Sequence, residues 1–147
     1  MKALFMGLGY IGLPTAAVAA KHGIEVIGVD VNPDVIETIN RGEIHIIEPD
    51  LDKVVKEVVT KGSLKASTKP QEADVFLIVV PTPFKQNHRA DISYVENATK
   101  AVIPFLKEGS LYIIESTSPV MTTEKMADLI YKTRPELKDK IYIAYCP

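Results

Sequence analysis

Two kinds of hydrophobic pattern alternate along this chain. Short, nearly continuous apolar runs are typical of strands buried in a parallel sheet. They predict six strands, at residues 2–6, 25–30, 64–67, 74–80, 110–114 and 140–145. Between most of these runs, apolar residues recur every three or four positions, the period of a helix packed on a sheet. The alternation predicts an α/β fold with a doubly wound, mostly parallel six-stranded sheet in the order 3-2-1-4-5-6, covered by helices on both faces.

The helices are predicted from their spacing and from the polar residues that precede them. Helical spacing extends over residues 10–22 and 122–133. Asn32, Asp50 and Asp91 each stand before a further helical segment, where a short polar side chain predicts an N-cap. The polar stretch 85–90 precedes the last of these three segments and is expected to be a mobile loop.

Three glycines join the first predicted strand to the first predicted helix. Gly7, Gly9 and Gly12 have the spacing G-x-G-x-x-G. Gly7 permits a tight turn, Gly9 leaves room for a pyrophosphate against the backbone, and Gly12 lets the helix approach the strand. Main-chain amides over residues 6–11 would then face the phosphates at the positive end of the helix dipole. Glycines also cluster in ordinary turns, so the context of the triplet decides its meaning.

Asp30 supplies that context. It ends the second strand 30 − 12 = 18 residues after the last glycine, where its carboxylate can accept hydrogen bonds from an adenosine ribose. Strand, triplet, helix, strand and acid follow one another in the order of a Rossmann dinucleotide-binding unit. A negative charge at this place favours NAD over NADP, whose 2′-phosphate it would repel. Asn32 lies close enough in sequence to touch the adenosine as well, although capping alone would also explain it.

Two further loops are predicted at the carboxyl ends of strands, the edge where open α/β sheets bind ligands. Pro81, Thr82 and Pro83 cut off the fourth strand with a rigid turn, which is either a plain loop or a cofactor contact. Ser116, Thr117 and Ser118 follow the fifth strand. Their hydroxyls either bind a cofactor, a sugar or a water, or cap the next helix.

Bulk composition narrows the range of partners. A chain of 147 residues predicts one domain, and its net charge of −2 offers no electrostatic reason to bind nucleic acid or an anionic membrane. A single cysteine, Cys146, and three scattered histidines provide neither a disulfide nor a metal cluster. Without a recognisable signal peptide or an apolar run of membrane-spanning length, the protein is expected to be cytoplasmic.

Three motifs together carry a resemblance to a known family. Residues 7–14 (GLGYIGLP), 80–83 (VPTP) and 115–120 (ESTSPV) are similar, in order and spacing, to the N-terminal NAD-binding domain of the UDP-glucose/GDP-mannose dehydrogenase family. Residues 40–52 and 144–147, with the stretch 81–85, look most like the branch that acts on UDP-N-acetyl-D-mannosamine. A UDP-glucose 6-dehydrogenase is the alternative within the family, and a stand-alone NAD-binding or regulatory module is the alternative outside it.

The resemblance implies an activity for a complete protein. Family members oxidise the C6 alcohol of a UDP-sugar to a carboxylate with two NAD, serve polysaccharide biosynthesis and form homo-oligomers. Their catalytic cysteine, lysine and asparagine lie beyond residue 147, as do the central and C-terminal UDP-sugar-binding domains. This chain, residues 1–147, is therefore expected to be a NAD-binding Rossmann domain that binds NAD but is inactive alone. Cys146 is not the implied nucleophile and is expected to be a small buried thiol.

The resemblance also implies roles for individual residues. Tyr10 and Ile11 would offer amides to the pyrophosphate, and Asp30 would hold the adenosine ribose. Pro81, Thr82, Ser116 and Thr117 would line the cofactor site, Thr82 through its backbone. Thr117 would lie near the nicotinamide and the reacting carbon, where it helps to position water or substrate. Met121 departs from the family pattern, which usually has glycine there, so the turn after Thr117 is expected to be reshaped or the cofactor crowded.

Overall fold

The structure is a computed structural model that describes residues 1–84 and 90–147. The described residues form six strands, five helices and two short 3-10 helices. The strands are β1 (Lys2–Met6), β2 (Glu25–Val29), β3 (Leu64–Ser67), β4 (Val75–Ile78), β5 (Leu111–Ile114) and β6 (Tyr142–Tyr145). The helices are α1 (Gly12–Lys21), α2 (Pro33–Asn40), α3 (Leu51–Thr60), α4 (Ser93–Val102) and α5 (Thr122–Thr133), with 3-10 turns at Ile103–Phe105 and Pro135–Leu137.

The sheet has the predicted order, β3-β2-β1-β4-β5-β6. All five strand pairs are parallel, so the predicted mostly parallel sheet is wholly parallel over the described residues. Met6 lies opposite both Val29 and Ile78, and Ile78 lies opposite Ile114. In this register the carboxyl ends of β1, β2, β4 and β5 meet at one edge, which brings the loops that follow them together.

Helices cover both faces of the sheet, as predicted. Successive side chains of a strand point to opposite faces, so β1 contributes to two separate cores. Ala3 and Phe5 join a core with α1 and α3, whereas Leu4 and Met6 join a core with α4 and α5. Because both faces of β1 are buried, its sequence is an unbroken apolar run rather than an alternating one.

The helix starts show which capping predictions hold. The prediction for Asn32 is confirmed, because its side-chain oxygen accepts a hydrogen bond of 3.0 Å from the Asp34 amide. The prediction for Asp50 is wrong in mechanism: it has a left-handed backbone (φ 60°), and its carboxylate contacts Lys53 Nζ at 2.6 Å instead of a helix amide. Asp91 stands one residue before the N-cap position, from which its carboxylate accepts a bond of 3.0 Å from the Ser93 amide.

Several elements are shorter than the apolar runs that predict them. The fourth strand ends at Ile78 rather than at residue 80, and the sixth begins at Tyr142 rather than at residue 140. Hydrophobicity reports burial, and Val79 stays buried beyond the end of β4 with its amide bonded to Met6 O at 2.8 Å. The mobile loop predicted for 85–90 falls, apart from Ala90, outside the described residues.

Over residues 1–84 and 90–147, no helix combines the length and the apolar composition that crossing a bilayer requires.

Met121 occupies the left-handed position directly before α5. Its φ is 70° and its ψ is 6°, a conformation that glycine adopts without strain and a side chain makes costly. Met121 is half exposed and does not line the cleft described below. At the position where the resemblance implies glycine, the backbone is one that glycine favours, and over the described residues Met121 does not crowd that cleft.

Replacing Met121 with glycine is therefore expected to raise the free energy of unfolding by about 0.5–1 kcal/mol, measured by urea denaturation. Relief of backbone strain outweighs the larger entropy that glycine has in the unfolded chain. Met121→Ala is the control, because alanine removes the exposed side chain but keeps the strained backbone, and no gain is expected. An equal gain from Met121→Ala would show that strain is not the cause.

Candidate cofactor-binding site

A cleft of about 890 Å³ opens at the edge where the carboxyl ends of the strands meet. Its walls are the turn after β1, the end of β2, the loops after β4 and β5, and one side of α4. The cleft brings together every predicted cofactor residue except Asn32. These are Gly7, Gly9, Tyr10, Ile11, Gly12, Asp30, Pro81, Thr82, Ser116 and Thr117. These predicted residues lie up to 117 − 7 = 110 positions apart in sequence and line one cavity.

The three glycines have three different surroundings. Gly7 has φ +105°, and a Cβ there would lie 2.2 Å from Val79 O. A Cβ on Gly12 would lie 2.0 Å from Gly7 O, so only glycine lets α1 start against this turn. A Cβ on Gly9 would meet nothing within 4 Å. The tight turn and the close helix approach are confirmed, and Gly9 lies beside the open space that a phosphate requires.

The amides of this turn are not all free. Gly7 N donates to Val29 O at 2.8 Å, and Leu8 N donates to Asp30 Oδ2 at 3.0 Å. The prediction of donors over residues 6–11 is therefore too broad. Within the described part of the chain, the amides of Gly9, Tyr10 and Ile11 have no acceptor, and no side chain caps α1. They stand at the positive end of the helix dipole, where an anion is stabilised.

Asp30 organises the turn as well as lining the cleft. One carboxylate oxygen accepts from Leu8 N, and the other accepts from Asn32 N at 3.0 Å. An ionised carboxylate offers about four acceptor positions, so two remain for ligand hydroxyls. The two amide bonds hold the carboxylate between the glycine turn and the start of α2. This link over 22 residues of sequence is absent from the sequence-based predictions.

Asn32 lies beside Asp30 but outside the cleft lining. Its side chain is exposed, and its Oδ1 accepts a hydrogen bond from the Asp34 amide at the start of α2. Capping accounts for an asparagine at this position. A contact between Asn32 and adenosine stays a prediction.

Two hydroxyl-bearing loops form the opposite wall. Thr82 Oγ1 donates to Thr117 O at 2.8 Å and lies 3.2 Å from Thr117 Oγ1. The hydroxyls of Ser116 and Ser118 are 3.0 Å apart, while α5 begins only at Thr122. These side chains bond within and between loops, so they do not cap the next helix. Thr82 contributes its hydroxyl to this wall, in addition to the backbone role expected for it.

Glu115 lines the same wall and has no predicted role. It follows β5 directly, and its amide donates to Ile78 O at 2.9 Å, which anchors it to β4. Burial raises the pKa of the Glu115 carboxyl. Among residues 1–84 and 90–147, no hydrogen bond or ion pair involves its carboxylate. An acidic residue at the carboxyl end of a buried strand is the signal that would have identified it.

The arrangement fits a dinucleotide. Free amides at Gly9–Ile11 suit a pyrophosphate, and the Asp30 carboxylate suits a ribose with free hydroxyls. Over the described residues, no group of three His, Cys, Asp or Glu side chains is placed to hold a metal ion.

The prediction of a buried thiol at Cys146 is wrong, because its side chain is exposed. It lies past the end of β6, a strand that pairs only with β5 in the described sheet.

Comparison with known proteins identifies the family of this chain. The family model described as "UDP-glucose/GDP-mannose dehydrogenase family, NAD binding domain" matches residues 1–147. The chain belongs to this family. As its NAD binding domain, the chain takes NAD as cofactor, in agreement with the prediction from the glycine triplet and Asp30.

Individual members of the family are highly similar. A UDP-N-acetyl-D-mannosamine dehydrogenase from Yersinia pestis is 58% identical over 150 residues, which cover 97% of this chain and 36% of that protein. An NDP-N-acetyl-D-galactosaminuronic acid dehydrogenase from Ralstonia nicotianae is 51% identical, with the same coverage. The solved structure of a UDP-N-acetyl-mannosamine dehydrogenase from S. aureus has a TM-score of 0.95 and 41% identity, covering 100% of this chain and 36% of its own. The chain thus spans about 36% of the length of the curated relatives it matches.

Proposed function

We propose that this chain is the NAD-binding domain of a UDP-N-acetyl-D-mannosamine 6-dehydrogenase, which oxidises the sugar C6 alcohol to a carboxylate with two NAD. The observation that carries the proposal is the similarity of nearly the whole chain to dehydrogenases of that name. The central and C-terminal UDP-sugar-binding domains belong to the part of the family's length that this chain does not span.

The residues of this chain serve the cofactor rather than the sugar. Amides of Gly9, Tyr10 and Ile11 bind the pyrophosphate, and the Asp30 carboxylate accepts hydrogen bonds from the adenosine ribose. The Thr82 hydroxyl holds Thr117 in place, and Thr117 positions water or substrate beside the nicotinamide. Bound NAD supplies the hydride acceptor. The cysteine, lysine and asparagine implied by the family resemblance lie beyond residue 147, so this chain alone binds NAD without turnover.

Turnover by the complete protein tests the proposal. We expect two NADH to form for each UDP-N-acetyl-D-mannosamine consumed, with little NADH from UDP-glucose or UDP-N-acetyl-D-galactosamine. The 147-residue chain is expected to bind NAD in calorimetry and to produce no NADH. Preference for either of the other two sugars would overturn the substrate assignment while leaving the cofactor site intact. A coding sequence that stops after Pro147 would instead favour a stand-alone NAD-binding or regulatory module.

The proposal also includes the cellular location and the oligomeric state of the complete protein. We place it in the cytoplasm, where NAD and nucleotide sugars are made, and we expect it to be a homo-oligomer, as the family resemblance implies. Light scattering of the complete protein after size-exclusion chromatography would measure the number of subunits.

Asp30 is expected to determine the choice between NAD and NADP. In Asp30→Asn, one side-chain oxygen still accepts a main-chain amide, but the charge that repels a 2′-phosphate is gone. We expect the affinity for NAD, measured by calorimetry, to fall about tenfold. The ratio of the NAD affinity to the NADP affinity is expected to fall at least about tenfold. An unchanged preference would contradict a contact between Asp30 and the ribose. Asp30→Ala, which also removes the bonds to Leu8 and Asn32, is expected to weaken binding further.

A further inference from the structure

The cleft has two ends that meet different parts of a dinucleotide. Asp30, at the end of β2, marks the adenosine side, and the free amides after β1 mark the pyrophosphate. The next strands in the sheet are β4 and then β5, so β5 lies three strands from β2, roughly 14 Å at the usual spacing. An extended dinucleotide held at its adenosine ribose and its pyrophosphate therefore places its nicotinamide half near the loops after β4 and β5.

Among the described residues, Glu115 provides the acidic side chain of the cleft lining at that end, which Pro147, the last residue of this chain, also lines. Glu115 differs from Asp30, the acid at the adenosine end, whose two oxygens are both occupied by main-chain amides. The Glu115 side chain is partly buried, and its carboxylate forms no ion pair or hydrogen bond with any residue in ranges 1–84 and 90–147. The hydrogen bond from its amide to Ile78 O holds its backbone at the position directly after β5. With respect to the described residues, an unpaired carboxylate is therefore left beside the part of the cofactor that changes charge.

We propose that Glu115 makes this site select the oxidised cofactor over the reduced one. The nicotinamide ring of NAD⁺ carries a positive charge, and the ring of NADH is neutral. A carboxylate near the ring attracts the first and gains nothing from the second, and the attraction is strengthened where water is partly excluded. The adenosine and pyrophosphate contacts are the same for both redox states. Glu115 therefore changes the ratio of the two affinities and assists exchange of NADH for NAD⁺.

The proposal includes a pH dependence with a defined sign. Burial raises the pKa of Glu115, so the carboxyl takes up a proton at a higher pH than an exposed glutamate does. The neutral acid does not attract the nicotinamide charge. The preference for NAD⁺ is thus complete above the raised pKa and declines as the pH falls through it. Besides Glu115, the titratable groups of the described residues that line the cleft are Asp30 at its far end, the phenols of Tyr10 and of Tyr94 on α4, and the terminal carboxylate of Pro147. The contacts of Asp30 are common to both redox states.

The test measures the dissociation constants of NAD⁺ and NADH for this chain by calorimetry at about pH 8 and about pH 5. For Glu115→Gln, which keeps the size and polarity of the side chain, we expect the preference for NAD⁺ to fall about three- to tenfold at the higher pH. Asp30→Asn is the first control and is expected to weaken both redox states equally. Glu124→Gln is the second control, because Glu124 is an exposed acid outside the cleft, and it should leave both constants unchanged.

The ratio of the two dissociation constants decides whether Glu115 selects the oxidised cofactor. A ratio that falls in Glu115→Gln, together with a wild-type ratio that falls at low pH, supports the proposal. Equal weakening of both redox states by Glu115→Gln would show a general effect on the cleft and overturn it, as would an unchanged ratio. If Glu115→Gln does not fold, Glu115→Ala is the second variant, and an unchanged ratio of the two dissociation constants in Glu115→Ala contradicts the proposal. Loss of NAD binding by the wild-type chain would instead refute the cofactor site.

Discussion

Replacing Gly12 with alanine is expected to lower the free energy of unfolding by about 2–4 kcal/mol, measured by urea denaturation. The added Cβ would lie 2.0 Å from the carbonyl oxygen of Gly7, which is backbone and cannot rotate away. Either α1 or the glycine turn must move, and the close packing of Ala16 and Ala17 beneath them would be lost. The expected sign is opposite to that of helix propensity, which favours alanine over glycine by about 1 kcal/mol.

The measurement is decisive because the two effects differ in sign. A stability equal to or above wild type would mean that α1 can shift without cost, and the close approach at Gly12 would not be required. We also expect NAD binding by Gly12→Ala to be weakened, because the amides at the start of α1 move with the helix.

Replacing Gly9 with alanine is expected to have the opposite profile. A Cβ on Gly9 meets no protein atom within 4 Å, and its φ is not in the left-handed region. Stability should be unchanged or slightly raised, since alanine lowers the entropy of the unfolded chain. The methyl group would occupy the space that the pyrophosphate needs beside the free amides. We expect the dissociation constant for NAD to rise at least tenfold, about 1.4 kcal/mol or more, in calorimetry.

The two variants control for each other, because the same substitution is made three residues apart on one turn. Gly12→Ala tests packing, and Gly9→Ala tests ligand access. Wild-type affinity for NAD in Gly9→Ala would place the pyrophosphate elsewhere and would contradict the role of the Gly9, Tyr10 and Ile11 amides. A large loss of stability in Gly9→Ala would show that the apparent open space is needed by the fold itself.

The match to the family's NAD binding domain agrees with the cleft found in this chain. This chain contains the cleft that holds the cofactor, and its described residues include no cysteine in that cleft. The hydroxyls of Thr82 and Thr117 join two different loops in the wall of that cleft.

The fold, the strand order and the glycine turn could all be predicted from the amino-acid sequence. Continuous apolar runs separated by helical periodicity are local properties, and they predict a parallel sheet covered on both faces. The conformational freedom of Gly7 and the position of Asp30 at the end of a strand are also visible in the chain. These signals need no knowledge of distant partners, and they indicate a dinucleotide-binding unit whose usual strand order, β3-β2-β1-β4-β5-β6, is confirmed.

Which polar groups are available to a ligand could be read only from the folded chain. Asp30 accepts a hydrogen bond from the Leu8 amide across 22 residues of sequence, and the Thr82 hydroxyl donates to the Thr117 carbonyl across 35 residues. The raised pKa of Glu115 and the exposure of Cys146 depend on what covers them in the folded chain. Hydrogen-bond saturation and desolvation are set by neighbours distant in sequence, so hydrophobic pattern and local spacing carry little information about them.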